Sequence, residues 1–360
     1  MNTMISVSIW KSRYQATVLG LGIGHGFSDA AAGYLIGNLS HNASFVQIGS
    51  AVMIYNLLAF GGQLPAGIWL DRIGHYRKPA VLSLLGMVLA LGLLCFQFFW
   101  VAIVIAGISS AIFHVSGGAV TLVSFPGKSY YTGIFSAFGV MGLALGGWAG
   151  TMHWYGVGFG LMTGLIALLL GLLKANFPLA QKQEFVTKNH HLDNHDYLMI
   201  LLLVAIALRS AVWNVVQLLY VKQYDWLIYM AMAAMIGKLI GGWLTDRIPW
   251  KVYALVALSI AIPSLAWGHR KLFWLLLGTG LLQSLTPISV VALQRLLPTM
   301  PAAVSGATFG LAIALGGLIS FVPLDAYFPL FYQLILLGML TWGLYYLFWS
   351  GATQQSTLHK

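Results

Sequence analysis

The chain has 360 residues, of which 59% are hydrophobic and only 7% are charged, and its formal net charge is +10. A soluble domain carries about 25% charged residues, because its surface faces water. Together with a mean hydropathy of +0.84, this excludes a water-soluble globule and indicates a protein whose main solvent is lipid. The basic residues form no run, so we expect no nucleic-acid partner.

Long apolar runs follow one another along the chain. A bilayer core about 30 Å thick needs about 20 apolar residues per helix, and the runs lack the alternation of barrel strands. The sequence therefore predicts an all-α membrane protein of about twelve transmembrane helices. We place them near residues 14–37, 45–70, 79–97, 99–123, 130–150, 155–173, 197–220, 226–244, 251–267, 272–293, 302–322 and 327–349.

A polar stretch between the sixth and seventh predicted spans divides the chain into two halves. We expect an N-terminal six-helix bundle at residues 1–176, a cytoplasmic linker at 177–196 and a C-terminal six-helix bundle at 197–360. If both termini are cytoplasmic, the cytoplasmic segments hold most of the Lys and Arg residues, as the positive-inside rule requires.

The two halves also repeat short sequences at matching places. Residues 67–73 read GIWLDRI and residues 242–248 read GWLTDRI, while ALGG occurs at both 144–147 and 314–317. The first pair follows the second span of each half and the second pair lies within the fifth. This predicts two pseudo-symmetric bundles, an arrangement common in transporters whose substrate site lies between the halves.

The first repeat carries the most specific motif. Gly67, Asp71, Arg72, Gly74 and Arg77 are spaced as in the loop between the second and third spans of the major facilitator superfamily, which this chain resembles. The resemblance implies the major facilitator fold. An acidic residue at a helix end, a glycine turn and basic residues predict a charged latch between neighbouring helices.

The copy in the second half keeps Gly242, Asp246, Arg247 and Lys251, but Pro249 stands where the glycine would be. We expect these residues to form the equivalent latch. The alternative is a plain cytoplasmic loop that only sets orientation.

Glycines recur in the fifth span of each half. Gly142, Gly146 and Gly147 resemble the glycines of the family's antiporter motif, although a leucine replaces its proline, and Gly316 and Gly317 repeat the last pair. The resemblance favours antiport. The alternative is that all five are helix-packing glycines, which let two helices approach closely.

Four ionisable side chains lie at membrane depth: His25 and Asp29 in the first span, His114 in the fourth and Arg209 in the seventh. Each charge there costs at least ~2.5 kcal/mol, so such residues usually mark function. Arg209 is suited to bind an anion, and Asp29 and the histidines to take up protons. The alternatives are a structural Asp29–Arg209 pair that locks the halves together and histidines that only pack.

Three segments around these residues, GHGFSD at 24–29, IFHVSGG at 112–118 and ALRSAVWN at 207–214, are similar to the fosmidomycin-resistance branch of the superfamily. That similarity implies efflux across a bacterial inner membrane. Val115 and Ser116 stand where the branch has proline and glutamate, so proton coupling would rest on the aspartate and histidines of this chain.

Further polar and aromatic residues occur within the spans. Tyr34 and Trp213 are candidate aromatic walls of a central cavity, and Asn214 and Gln217 are candidate substrate ligands. Lys238 lies eight residues before the second aspartate of the repeat, and we expect it to extend to the membrane interface.

The sequence thus predicts a monomeric secondary transporter that moves a small organic anion or amphiphilic drug by alternating access, with proton-coupled efflux. No phosphate-binding loop and no catalytic motif occurs, so we expect no cofactor, no resident metal and no enzyme activity. One alternative is a divalent-metal transporter with His25, Asp29 and His114 as ligands. The other is a membrane receptor or scaffold that transports nothing.

Overall fold

The computed structural model describes residues 2–39, 43–178, 193–220, 224–268, 271–318 and 329–358. Most of the predicted linker and the end of the predicted eleventh span lie outside these ranges. The helices of the described ranges run in this order: α1 (Asn2–Asn38), α2 (Phe45–Ile73), α3 (Arg77–Cys95), α4 (Phe99–Ser124), α5 (Ser129–Thr151), α6 (Tyr155–Lys174), α7 (Asn194–Leu219), α8 (Tyr224–Thr245), α9 (Trp250–Trp267), α10 (Leu272–Leu296), α11 (Pro301–Gly317) and α12 (Leu330–Leu358).

Within the described ranges, ten helices are long and apolar enough to cross a membrane, namely α2 to α10 and α12. Helix α11 is apolar but shorter. Helix α1 is longer than the others, and its glycines, histidine and aspartate lower its hydropathy. Each of the twelve predicted spans corresponds to one helix.

The packing of the helices divides them into two bundles of six. In the first bundle α1 packs against α4, α5 and α6, and α3 packs against α4 and α6. In the second bundle α7 packs against α10, α11 and α12, and α9 packs against α10 and α12. A shift of six helices therefore maps one set of contacts onto the other. The predicted pseudo-symmetric pair of six-helix bundles is confirmed.

Contacts between the bundles follow the same symmetry. Helix α5 packs against α8, and its counterpart α11 packs against α2. Helices α2 and α11 each contain a π-helical turn, at Leu57–Gly61 and Gly306–Leu311, and these turns touch each other. Such turns are rare and often occur at functional sites. The interface between the bundles thus consists of two equivalent halves.

Glycines let α1 and α5 touch backbone to backbone. A Cβ atom on Gly142 would collide with the carbonyl oxygen of Gly26, and one on Gly146 with that of Ala30. Close approach through small residues is the main way that helices pack tightly in lipid, where apolar burial gives little driving force. These glycine contacts hold α1 directly against α5.

In the second bundle, Gly316 of α11 makes the equivalent contact with α7, where its Cβ would collide with the carbonyl oxygen of Ala207. The prediction for Gly317 is wrong, because a Cβ there would meet nothing within 4 Å. A Cβ on Gly147 would meet only the Gly33 oxygen, at an ordinary 3.8 Å. Gly147 still lies at the contact with α1 through its backbone, since a Cβ on Gly33 would lie 2.7 Å from its N and one on Gly37 would collide with its carbonyl oxygen. Gly317 lies about 100° further round its helix than Gly316 and faces away from α7.

Adjacent Gly316 and Gly317 give a matched test of this packing. We expect Gly316→Ala to lower the thermal stability of the purified protein, because overpacking typically costs about 1–3 kcal/mol. Gly317→Ala should leave stability unchanged or raise it, since alanine is the better helix former by about 0.5–1 kcal/mol. Unfolding in detergent, followed by tryptophan fluorescence, measures both. Equal losses in the two variants would contradict the described contact.

Candidate functional site

The buried ionisable residues of the first bundle converge on one carboxylate. Nε2 of His25 lies 3.2 Å from Oδ2 of Asp29, and Nε2 of His114 lies 3.6 Å from its Oδ1. The histidine side chains are 7% and 5% exposed and the aspartate is 13% exposed. Helices α1 and α4 therefore bring together three of the four residues predicted from their membrane depth. We call these three residues the His–Asp–His cluster.

The other nitrogen of each imidazole is held by a backbone carbonyl. Nδ1 of His25 lies 2.9 Å from the carbonyl oxygen of Phe135, and Nδ1 of His114 lies 2.7 Å from that of Ser110. A carbonyl oxygen only accepts hydrogen bonds, so both Nδ1 atoms must carry hydrogen. In a neutral ring Nε2 then has a lone pair, and both lone pairs face the Asp29 carboxylate.

This arrangement is unfavourable unless a positive particle lies between the rings and the carboxylate. A proton on either Nε2 or on the Asp29 carboxyl converts one repulsive contact into a hydrogen bond. A bound cation would serve all three groups at once. The cluster is thus built to hold a proton or a cation at a depth where an unpaired charge is costly.

Helix α5 closes over the cluster. A Cβ on Gly139 would lie 2.6 Å from Oδ2 of Asp29 and would collide with Nε2 of His25. The His25 ring stacks on Phe135 at a centroid distance of 4.9 Å and meets the His114 ring edge-on at 4.2 Å. The absence of a side chain at position 139 therefore provides the space for the cluster.

A hydrogen-bonded chain extends from the cluster into α2. The Tyr55 hydroxyl donates to Oγ of Ser110 at 3.2 Å, and that oxygen lies 3.3 Å from Nδ1 of His114. The sequence did not predict Tyr55, Ser110 or the role of Gly139. A tyrosine in an apolar span gives a weak signal, and nothing local shows which glycine of α5 faces a charged group.

Arg209 lies in the second bundle and does not pair with Asp29. Its Nη1 donates to Oγ1 of Thr286 on α10 at 2.7 Å, and the residue is only 4% exposed. Within the part of the chain that the structure describes, its Nε is buried without a hydrogen-bond partner. The predicted structural pair is therefore not formed, because each residue is held by groups of its own bundle.

Lys238 crosses the interface between the bundles instead of extending to the membrane surface. Its Nζ donates to the carbonyl oxygen of Ser136 on α5 at 3.0 Å. The ammonium group lies within electrostatic reach of both Asp29 and Arg209. The prediction for Lys238 is wrong, because α8 packs directly on α5 and directs this side chain into the interface.

The remaining predicted cavity residues lie in different parts of the two bundles. Tyr34 is buried between α1 and α6 within the first bundle, where its hydroxyl lies 3.5 Å from the Trp154 carbonyl, so it forms no wall between the bundles. Trp213 and Gln217 follow Arg209 at four-residue intervals and share its helix face. The Asn214 amide donates to the Ser210 carbonyl of its own helix at 2.9 Å.

The two repeated aspartates join the bundles at one end, which we call the motif end. Asp71 is buried and its carboxylate accepts hydrogen bonds from the backbone N–H groups of Ala302 at 3.0 Å and Ala303 at 2.8 Å, at the start of α11. The Tyr76 hydroxyl also donates to it at 3.1 Å. Burial and the neighbouring carboxylate raise the pKa of Tyr76, so this donor stays protonated.

Asp246 repeats the contact on the other side of the interface. It accepts hydrogen bonds from the backbone N–H groups of Ser129 at 2.8 Å and Tyr130 at 3.2 Å, at the start of α5. Gly242, one turn earlier, allows the approach, since its Cβ would lie 2.7 Å from the Ser129 oxygen. Gly67 faces Ala302 in the same way. Carboxylates are stabilised at helix N-termini by free N–H groups and the helix dipole.

Two arginines of the motifs donate hydrogen bonds within their own bundles. Arg77 donates to backbone carbonyls at the end of α6, including Ala175 at 2.8 Å. Arg247 donates to the Trp243 carbonyl of its own helix at 3.0 Å. Gly74 ends α2 with φ +67°, a left-handed conformation that glycine adopts most easily. The described contacts of Asp71 and Asp246 across the interface are helix caps.

These features define a class of membrane protein: two pseudo-symmetric six-helix bundles with buried charges near their interface and paired latches at one end. The family model of the Major Facilitator Superfamily matches residues 18–322. The chain belongs to this superfamily, as its sequence motifs predicted, and it is an integral multi-pass membrane protein. Family and fold together support secondary transport. A search among curated proteins finds no match to the sequence.

Solved structures with the same fold include two of the Escherichia coli fucose:proton symporter FucP. One superposes with a TM-score of 0.71 at 14% identity, and the other, in the outward conformation, with 0.69 at 14% identity; each covers 93% of this chain and 98% of FucP. The human organic anion transporter MFSD10 gives 0.66 at 16% identity and covers 94% of this chain and 99% of its own. At these identities the likeness shows the fold alone.

The capping aspartates predict how the motif end opens. Replacing Asp71 with Ala removes hydrogen bonds to a charged group worth about 1.5–3 kcal/mol each, so the open form should gain population. Spin labels on exposed Arg72→Cys and Thr299→Cys, in a Cys95→Ser background, report the distance between α2 and α11. We expect Asp71→Ala to add a longer distance and Asp71→Asn to have a smaller effect.

Asp225→Asn provides the control, because Asp225 is exposed in the first turn of α8, at the opposite end of that helix from Asp246. Its distance distribution should match that of the parent. Distributions that stay the same in both Asp71 variants would show that the caps do not hold the motif end closed.

Proposed function

We propose that the protein is a secondary active transporter that moves a small organic anion, or an amphiphilic drug with an anionic group, by proton-coupled alternating access. One observation carries the proposal. Lys238 of the second bundle lies within electrostatic reach of both Asp29, in the His–Asp–His cluster, and Arg209.

The proton site is the His–Asp–His cluster. Both Nδ1 atoms are committed to backbone carbonyls, so proton exchange is confined to the two Nε2 atoms and the carboxylate. The carboxylate keeps a solvent-facing side, since Asp29 is 13% exposed. A proton can therefore enter and leave from one side of the cluster.

The anion site centres on Arg209. Its guanidinium has five N–H donors. Its Nη1 donates to Thr286, and the Tyr345 side chain is a second hydrogen-bonding neighbour of the guanidinium. A buried donor without a partner is costly, and the Nε of Arg209 is such a donor. A carboxylate or phosphonate group would satisfy it. Trp213 and Gln217, on the same face of α7, are the candidates for contacts with the rest of the substrate.

Lys238 supplies the coupling between the two sites. When Asp29 is ionised, the ammonium group is attracted towards the cluster. When a proton neutralises the cluster, that attraction falls and Lys238 is free to join Arg209 on the anion. Competition between proton and substrate for one set of charges is sufficient to couple their movements.

The capping aspartates gate the cycle. In the described state both motif-end contacts are formed, so the substrate path on that side is closed. We assign the motif end to the cytoplasm, with both termini there, because the basic residues favour that side. Efflux from a bacterial cell across its inner membrane, action as a monomer, and domain boundaries at residues 176 and 197 complete the proposal.

Proton flux in proteoliposomes tests the proposal. Purified protein is reconstituted with a pH-sensitive dye inside and screened against a panel of organic anions and amphiphilic drugs. We expect at least one compound to cause a pH change in the wild type. Asp29→Asn should abolish that change, and Arg209→Gln should raise the half-saturating concentration more than ~10-fold, because losing one charge-assisted contact costs about 1.5–3 kcal/mol.

Arg13→Gln is the matched control, because Arg13 is exposed on α1; its transport should equal that of the wild type. Substrate movement without proton flux would replace coupling with facilitated diffusion. Full transport by Arg209→Gln would contradict the anion site.

A further inference from the structure

The His–Asp–His cluster has the ligand set of a transition-metal site. We infer that Nε2 of His25, Nε2 of His114 and the carboxylate of Asp29 bind a divalent first-row transition-metal ion such as Zn²⁺ or Co²⁺. The inference concerns binding by the protein at rest and does not rest on the proposed transport function.

The spacing of the donor atoms fits such an ion. Zn²⁺ binds His nitrogen and carboxylate oxygen at about 2.0–2.2 Å, which puts tetrahedral ligands about 3.3–3.6 Å apart. Nε2 of His25 lies 3.2 Å from Oδ2 of Asp29 and Nε2 of His114 lies 3.6 Å from Oδ1, so each ring lies at about this distance from one oxygen of the same carboxylate. One donor atom from each of the three residues lies within 4.8 Å of the others. Three protein ligands leave the fourth position for water.

The hydrogen bonds of the two histidine rings also match those of metal-binding histidines. Histidines that bind metals usually donate the other ring N–H to a carbonyl or carboxylate, which fixes the tautomer and the ring orientation. Both histidines do so, through Nδ1 to the Phe135 and Ser110 carbonyls. The lone pairs of both Nε2 atoms therefore face the Asp29 carboxylate before any ion arrives.

The site also has space for an ion, and the His25 ring is held in position. Gly139 leaves the space above the cluster free of a side chain, and stacking on Phe135 keeps the His25 ring in place. Because a metal ion uses the same lone pairs as the proton, the two must compete. Bound Zn²⁺ should therefore inhibit any proton movement through the cluster.

A titration of purified full-length protein in detergent with Co²⁺ tests binding directly, without a substrate. The protein is purified without a polyhistidine tag. We expect visible d–d absorption typical of tetrahedral nitrogen and oxygen ligation. Paramagnetically shifted, exchangeable N–H signals from the two imidazoles should accompany it. His25→Asn and His114→Asn should each weaken binding more than ~100-fold, beyond the ~10–100-fold typical of outer partners.

His195→Asn is the matched control, because His195 lies with Asp193 and Asp196 in a second, more exposed group that could hold a metal ion. Binding should survive this change. Loss of the absorption in His195→Asn, or its persistence in His25→Asn, would overturn the inference. So would a wild-type protein that gives neither the absorption nor the shifted signals.

A folded protein is required for each comparison. The variants should keep the wild-type elution volume and thermal transition, and the imidazole N–H signals of the wild type identify the ligands without any substitution. If those signals come from rings other than His25 and His114, the inference is wrong. Because no transport is measured, failure here leaves the transport proposal standing, and failure of transport leaves this one standing.

Discussion

A carboxylate buried among membrane helices must be neutralised by groups within reach, and Asp29 sets this requirement for the whole first bundle. Two histidines lie beside it, one on the same helix and one on α4, and a proton or cation held between their Nε2 atoms and the carboxylate would supply the neutralising charge. Their rings are fixed by carbonyls of α5 and α4. Three helices are thus held in register by one charge, and the interface to the second bundle is built around it.

The same constraint explains why each bundle holds one of the buried charges, Asp29 or Arg209, with groups of its own. The first bundle holds Asp29 beside two histidines, whereas the second holds Arg209 against the hydroxyl of Thr286. Asp29 and Arg209 form no ion pair across the interface, and the hydrogen bond of Lys238 to the Ser136 carbonyl crosses between the bundles.

The second physical requirement is that the helix backbones approach each other closely. Glycines on α5 leave space where a side chain would collide with α1. Gly67 and Gly242 leave the same space beside the capping aspartates. In lipid, tight packing and buried hydrogen bonds replace the hydrophobic drive of water. The aspartates then bind backbone N–H groups at the starts of α5 and α11, so helix ends form the described latch contacts.

The helices and their division into two bundles follow from apolar run lengths and from the repeats at 67–73 and 242–248. The membrane-depth residues His25, Asp29 and His114 were also predicted, because charges there are costly. The sequence could not show which partner each would choose. Arg209 bonds within its own bundle, Lys238 turns inward and Gly317 faces away, since these depend on helix rotation and packing across long sequence separations.

The tautomers of His25 and His114 test the central claim most directly. Solution ¹⁵N NMR of histidine-labelled protein, assigned with His25→Asn and His114→Asn, distinguishes Nδ1–H from Nε2–H. We predict Nδ1 protonated in both rings at every pH at which the protein is folded, with only Nε2 gaining or losing a proton. Rings that carry hydrogen on Nε2 alone would contradict this account, because no lone pair would then face the Asp29 carboxylate.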